Sequence, residues 1–383
     1  MLEQLYKAIA VFIFFFLSVT AYAGDAQFAI VVDGGSSGSR LHLYQYQMNT
    51  SLPSITEVFY DSTEPGLSSY SAAPERAGES LAPLLDGAVR QLKKMGIDPH
   101  TVTIRVLGTG GMRMLSDVNQ AAIYANVHHY LESHYGFLVQ EVASITGKME
   151  GVYGWLDVNY LLNHFANESS SLGSIDIGGA STQIAFEANN VPDPDDAVSV
   201  WINGKRRVVF SKSFYGLGLD ESRKEMNARN EASSCYPDQF QLSPTAIGRF
   251  NLSLCEWTYE RILREHHITQ AIVPIPASDF VAYSGAYHVL DFFGATDHVN
   301  QMQIESRLQA VCGESWETIK KSHPDVPEKY LSAYCANGVY IDDLLYWEYH
   351  MRDAQVTVAS HINHEQIDWT LGALLYELLS IKS

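Results

Sequence analysis

One stretch of this chain occurs twice. Ile30-Val-Val-Asp33-Gly-Gly-Ser-Ser-Gly-Ser-Arg40-Leu-His-Leu-Tyr44 is matched by Ser174-Ile-Asp176-Ile-Gly-Gly-Ala-Ser-Thr-Gln183-Ile-Ala-Phe186. With Asp33 set on Asp176, the two run without a gap through Arg40 and Gln183. Each copy enters on apolar residues that end in a carboxylate, passes through small residues, and resumes an apolar alternation. That pattern predicts strand, tight turn, strand. Glycines let the backbone approach a ligand closely, and successive amides in such a turn hold an anion. A single small-residue turn is commonly just a hairpin. Two matched copies predict opposed phosphate-cradling hairpins, with the aspartates facing a cation or its waters, since a bare anion would be repelled by them.

The rest of the chain alternates strand and helix around these copies. Leu81, Leu84, Leu85, Ala88, Val89 and Leu92 recur at helical spacing, and Gly96 closes that helix. Strands are predicted over 102–107 and 138–143, with a helix over 117–133 between them. Another helix follows Gly147 through about Phe165. Residues 48–75, rich in Ser, Pro and Gly, predict a loop. Asn203-Gly204 predicts a hairpin turn between 198–202 and 206–212. Residues 213–270 read as mainly helical, 271–276 as a strand ended by proline, and 282–293, 300–311, 327–349 and 367–381 as helices.

At 383 residues, two domains are expected. The net charge of −19 argues against a nucleic-acid partner, though not against a nucleotide, whose phosphates a cation and amides can screen. Lys7 followed by Ala8–Leu17 and then Ala21-Tyr-Ala23 predicts a secretory signal over 1–23, too short in its apolar core to span a membrane comfortably. A secreted or periplasmic, monomeric protein with no stable membrane insertion is expected. Cys235, Cys255, Cys312 and Cys335 then predict two disulfides. Three connectivities are open, and the sequential one closes the shortest loops.

Four clusters follow strand-like segments: Asp33–Arg40, Gly108–Arg113, Gly147–Gly151 and Asp176–Gln183. Ligands of open α/β sheets bind beyond the C-terminal strand ends, so these loops are expected to converge on one cleft. Attack of water on a terminal phosphoryl group needs a base, a cation and hydrogen-bond donors. Glu150 is the candidate base, with a helix-start carboxylate as the plainer alternative. Ser181 and Gln183 are candidates to hold the water, and Asp33 and Asp176 to serve the metal. Ser36, Ser37, Gly38 and Ser39, with Thr109, Gly110, Gly111, Gly178, Gly179 and Ala180, offer amides and hydroxyls to phosphates. Arg40 reads either as a phosphate clamp or as an ion-pair partner. Arg113 reads as a scaffold ion pair and His42 as structural. There is no Gly-x-Ser-x-Gly elbow and no Gly-x-x-x-x-Gly-Lys-Ser/Thr loop, which favours direct attack by water.

These residues resemble the GDA1/CD39 apyrase family, the nucleoside triphosphate diphosphohydrolases. Asp33–Arg40, Gly108-Thr-Gly-Gly-Met-Arg-Met-Leu115, Ile145-Thr-Gly-Lys-Met-Glu-Gly-Val-Tyr-Gly-Trp155 and Asp176–Gln183 match its conserved regions in order, with weaker echoes to Trp369-Thr-Leu-Gly372. The short form, with an export signal, is similar to the secreted enzymes of intracellular bacterial pathogens. The resemblance implies an α/β fold of two actin-like, ribonuclease-H-like domains with a nucleotide cleft between them. Their expected bounds are 24–155, completed by the C-terminal helix over 360–383, and 156–359 with helical insertions. It implies hydrolysis of nucleoside tri- and diphosphates to the monophosphate with Mg²⁺, Ca²⁺ or Mn²⁺, on nucleotides that include those of a host compartment. Glu150 is implied as the base, Ser181 and Gln183 as the water's holders, and Asp33 and Asp176 as binding the cation through waters. A base-stacking aromatic pair is implied, with Tyr287, Tyr334, Tyr340 and Trp369 as candidates. Gly108 and Gly110 replace the family's usual alanines, which is expected to loosen that loop. The rival readings are an exopolyphosphatase or guanosine-pentaphosphate phosphatase, which shares the paired loops, and a non-catalytic actin-like nucleotide-binding protein.

Overall fold

The structure, a computed structural model, describes residues 26–48, 52–167, 169–276, 279–352 and 355–381. The predicted export signal lies outside the described residues.

Two mixed sheets share one strand order. The first comprises Gln27–Gly34 (β1), Ser39–Gln47 (β2), Ser54–Thr63 (β3), Thr103–Gly108 (β4) and Leu138–Ser144 (β5), arranged β3-β2-β1-β4-β5. β1 runs antiparallel to β2 and parallel to β4. The second comprises Gly173–Ile177 (β6), Ser181–Glu187 (β7), Ala197–Ile202 (β8), Lys205–Tyr215 (β9), Phe280–Ser284 (β10), Asp297–Val299 (β11) and Val356–Val358 (β12). Its order is β11-β12-β10-β6-β7-β9-β8. The run β9-β7-β6-β10-β12 repeats the first sheet, antiparallel on one side of β6 and parallel on the other. In the first hairpin Asp33 pairs with Arg40, and in the second Asp176 pairs with Gln183. The duplicated sequence is therefore duplicated in register.

Strand periodicity sorts the side chains between layers. Ile30 and Val32 of β1 face a core formed with helices Ala82–Met95 (α1) and Asp117–His134 (α2). Gly96, at φ 74°, takes the left-handed cap that ends α1, and the Ser116 hydroxyl accepts from the Asn119 amide to begin α2. Ala29 and Val31 point the other way, into a core shared with Gly147–Leu161 (α3) and with Ala185, Val209 and Val281 of the second sheet. On the far face of that sheet lie Leu219–Asn227 (α4), Leu252–Glu265 (α5), Gly285–Phe292 (α6), Gln301–Cys312 (α7) and Tyr334–Asp343 (α8). Trp369–Ser380 (α9) closes the described chain beside α3, so α3 and α9 are packed between both sheets.

Several expectations need correction. Residues 54–63 are not loop but β3, an outer strand whose polar face meets solvent and whose Ile55 faces the core. Residues 271–276 carry no strand. Pro274 and Pro276 lack the amide that a ladder needs, and the strand beside β6 is instead Phe280–Ser284, whose last three residues were expected to begin a helix over 282–293. Residues 213–270 open on the end of β9, and the helix expected over 327–349 breaks into Glu328–Leu331, α8 and a wide turn over Leu344–Glu348. The sequential disulfides are present, Cys235–Cys255 and Cys312–Cys335, both within the helical layer behind the second sheet.

Candidate functional site

Each hairpin carries its aspartate to the strand end, and each aspartate is 5% exposed. Burial pushes Asp33 up to about 7, although the Arg40 Nη1, donating to Oδ2 at 3.1 Å, pulls it back. Burial likewise pushes Asp176 up to about 8, and the charges of Glu150 and Asp33 add to the effect. Asp33 also feels Glu150. The three carboxylates thus share one low-dielectric region, although they come from three separate chain segments.

Glu150 arrives there on the first turn of α3, which Thr146 caps by accepting from the Met149 amide. Burial pushes the Glu150 carboxyl up, and the charge of Arg113 pulls it back. Arg113 Nη2 donates to Glu150 Oε2 at 2.8 Å and to Ser181 Oγ at 3.2 Å, while Nη1 donates to the Ile145 carbonyl at 3.1 Å. Gln183 Nε2 donates to Ser181 Oγ and to Ser213 Oγ, each at 2.9 Å, and approaches Glu150 Oε2 at 3.4 Å. The Gln183 Oε1 is buried and has no partner. It is an acceptor waiting beside a carboxylate and a hydroxyl.

The small-residue loops converge on the same region. A methyl group on Gly111 would stand 2.6 Å from the Ser36 Cα, and one on Gly179 would stand 2.9 Å from the Ser36 Oγ. At Gly111 the obstacle is backbone, so glycine is required there for the loops to approach. Thr109 Oγ1 donates to Asp33 Oδ1 at 3.4 Å. A cavity of ≈ 530 Å³ is lined by Ser36, Gly111, Gly179 and Ala180, and another of ≈ 490 Å³ by Arg113, Gly147, Ser211 and Ser213. In the first hairpin Ser37 is exposed, while Gly38 and Ser39 are buried. Gly178 begins the second turn, and its amide donates to the Ser181 carbonyl at 3.1 Å.

The four candidate aromatics do not assemble in the same way. Tyr340 is fully buried, with its hydroxyl donating to the Leu217 carbonyl. Trp369 opens α9 and packs on Tyr153, ring centroids 6.4 Å apart. Tyr287 and Tyr334 are half-buried on α6 and α8, and Tyr334 packs on Phe292 at 4.7 Å.

Three further residues escaped the sequence reading. Ser213 joins Gln183 from β9. Ser284 is the last residue of β10, at φ 58°, and hydrogen-bonds Asp176, a left-handed backbone on a non-glycine residue of the kind found at functional sites. Asp368 caps α9 and lies 3.4 Å from His42 Nε2, while His42 Nδ1 lies 3.1 Å from Glu57. Burial alone would push His42 down, but the charge of Asp368, with Glu57, raises it to about 10. An aspartate before an apolar helix signals a cap, so Asp368 was legible only in that role. Elsewhere, Glu256, Glu305 and Asp342 offer oxygens within 4.8 Å of one another, close enough to hold a divalent cation.

Residues 19–243 and 266–383 match the GDA1/CD39 (nucleoside phosphatase) family. The chain belongs to that family. As a GDA1/CD39 protein it is a nucleotide-hydrolysing enzyme of the apyrase type. Ectonucleoside triphosphate diphosphohydrolase 1 of Mus musculus is 28% identical over 423 aligned positions, covering 92% of this chain and 81% of the mouse protein. Nucleoside triphosphate hydrolase from Neospora caninum is similar in structure, with a TM-score of 0.73 at 15% identity over 99% of this chain and 97% of that one. A Ppx/GppA protein of Aquifex aeolicus reaches 0.58 at 13% identity, covering 94% and 99%. The GDA1/CD39 chain thus shares its mixed α/β fold with both of these structures. Among the described residues, no helix is long and apolar enough to cross a membrane.

Proposed function

We propose that this GDA1/CD39 enzyme is an exported apyrase that converts nucleoside tri- and diphosphates to the monophosphate, with Glu150 as the base. Its substrate lies in a cleft between two ribonuclease-H-like domains, residues 24–155 completed by the C-terminal helix and residues 156–359. The observation that carries this reading is the hydrogen-bonded set Glu150, Ser181 and Gln183, in which the one unpartnered buried acceptor is Gln183 Oε1. A water held by that oxygen and by the Ser181 hydroxyl passes a proton to Glu150 as its oxygen attacks the terminal phosphorus. The bond from phosphorus to the bridging oxygen breaks, and its electron pair leaves with the shortened nucleotide. Arg113 favours the ionised form of Glu150 against the effect of burial and orients it before attack.

Asp33 and Asp176 fit a divalent cation, because both are buried carboxylates raised by desolvation and by neighbouring carboxylates, Glu150 among them. They would hold it through waters, and the cation supplies charge neutralisation along the phosphates. The glycine-lined turns around Ser36 and Gly179 donate amides to the phosphate oxygens. The half-buried Tyr287 and Tyr334 are the better placed of the four aromatics to meet a nucleobase. Outside the cytoplasm, the substrates would be nucleotides of the surrounding medium or of a host compartment.

Incubation of the purified chain with ATP, ADP, AMP and long-chain polyphosphate, across Mg²⁺, Ca²⁺ and Mn²⁺, tests this. Phosphate is expected from ATP and ADP, with AMP left intact and little released from polyphosphate. Activity on polyphosphate alone would instead favour the Ppx/GppA-like reading, which shares the fold.

A further inference from the structure

Behind the second sheet, three helices direct carboxylates at one point. Glu256 of α5, Glu305 of α7 and Asp342 of α8 each bring an oxygen within 4.8 Å of the others. Asp342 is 1% exposed, and its Oδ1 is buried with no hydrogen-bond partner. Its Oδ2 meets the Gln301 amide at 3.5 Å. Cations carried by the same helices are engaged elsewhere: Arg264 on Glu260, Arg261 over the Trp257 ring, and Arg307 on the Phe293 carbonyl. The next residue, Asp343, is wholly buried with neither carboxylate oxygen partnered, and it feels Asp342 and Glu256. Like charges crowded at low dielectric need a proton or a cation to persist.

We propose that Glu256, Glu305 and Asp342 form a Ca²⁺ site that clasps α5, α7 and α8, separate from the hydrolytic cleft. The donors are all oxygen, which selects a hard cation. Ca²⁺ takes about six to eight oxygens in a flexible geometry and so accommodates carboxylates brought from three separate helices, whereas Mg²⁺ demands a near-ideal octahedron and keeps most of its waters. Gln301, by turning its amide, supplies a fourth oxygen. The charged groups that perturb Asp33, Glu150 and Asp176 are Arg40, His42, Arg113, Asp368 and each other, with no member of this trio among them. Cys312–Cys335 already ties α7 to α8, and Cys255 at the start of α5 anchors the third helix to Cys235. An ion would complete the same clasp without a covalent bond. The inference does not rest on the hydrolytic mechanism.

The test is Ca²⁺ titrated into the chelator-stripped full chain without nucleotide, read by calorimetry and by thermal melting. One Ca²⁺ per chain is expected, raising Tm by about 5 °C at saturating metal, with a smaller rise from equal Mg²⁺. Glu305→Gln, at a half-buried position, is expected to abolish the stoichiometric binding and the Tm rise, while ATP hydrolysis in Mg²⁺ stays within about twofold. Asp342→Asn is the buried counterpart. No stoichiometric binding by the parent chain, or binding unchanged in Glu305→Gln, overturns the site. So does an Asp342→Asn chain that melts higher than the parent at every Ca²⁺ concentration, which would mean that a shared proton holds the cluster.

Discussion

Arg113 stands 2.8 Å from the Glu150 carboxylate and 3.2 Å from the Ser181 hydroxyl, so a single guanidinium orients two members of the proposed water site. Its charge holds down a carboxyl that burial pushes up. Arg113→Met therefore raises the Glu150 pKa further, and the base is then ionised only at higher pH. The acid limb of the kcat profile for ATP is expected to move upward, with a larger loss at pH 6 than at pH 8.5. An acid limb that does not move would separate Arg113 from the titrating group.

Glu150→Gln keeps the size and hydrogen-bonding reach of the side chain but removes its capacity to accept a proton. Turnover of ATP and ADP is expected to fall by about 10²–10⁴. Calorimetric affinity for a nonhydrolysable nucleotide with metal should stay near the parent's. Equal losses in binding and turnover would make Glu150 a ligand-holding residue instead.

The paired aspartates make a stability prediction with a definite sign. Asp33 and Asp176 titrate at about 7 and about 8 in the fold, against 3.8 for a free side chain. A carboxyl raised by burial contributes stability that is complete below the unfolded value and is lost as pH rises through the folded one. Melting of the metal-stripped chain should therefore fall between about pH 4 and about pH 8. Asp176→Asn should flatten that slope while removing metal-dependent hydrolysis, and an unchanged slope would point to other groups.

How much of this was legible in sequence depended on what sets each feature. The hairpins could be read because a carboxylate, a run of small residues and a return of alternation are local signals, and Asp33 and Asp176 take equivalent register positions. Ser181 and Gln183 lie in the second of these segments, whereas Glu150 was a candidate from the separate turn between a predicted strand and a predicted helix. β3 could not be read because an outer strand needs only one apolar face, and its polar residues mimic a loop. Phe280–Ser284 is buried along nearly its whole length, which gives no periodicity to separate strand from helix. Asp368 and Ser213 reach the site through tertiary packing alone.

Gly108 shows the same limit at a single atom. The family's usual alanine is absent, and loosening was expected, yet the vacated space is filled. A methyl group there would lie 1.9 Å from the Tyr124 hydroxyl, which hydrogen-bonds Ser144 at 2.6 Å, and 2.8 Å from Met112 Cγ. Gly108→Ala is expected to destabilise by about 1–3 kcal/mol in chemical denaturation. Adding Tyr124→Phe should restore part of the loss, and no recovery would assign the clash to Met112.

His42 and Asp368 are a buried ion pair joining β2 to the cap of α9. Because His42 is raised from 6.5 to about 10, its contribution is full below pH 6.5 and is lost as pH rises through 10. Asp368 is held below 3.8 by His42 against the effect of burial, so its share is lost only in acid. His42→Gln leaves that carboxylate uncompensated and should cost about 3–5 kcal/mol at pH 6. The double variant His42→Gln/Asp368→Asn should recover much of it, and additive losses would deny the coupling.

All four cysteines sit in the layer behind the second sheet, and the span from residue 27 to residue 144 contains none. A reductant therefore has chemistry to do on one side of the molecule only. The half that is synthesised first is indifferent to the redox state around it, whereas the half that carries Asp176 and Gln183 keeps its outer helices pinned only where thiols stay oxidised.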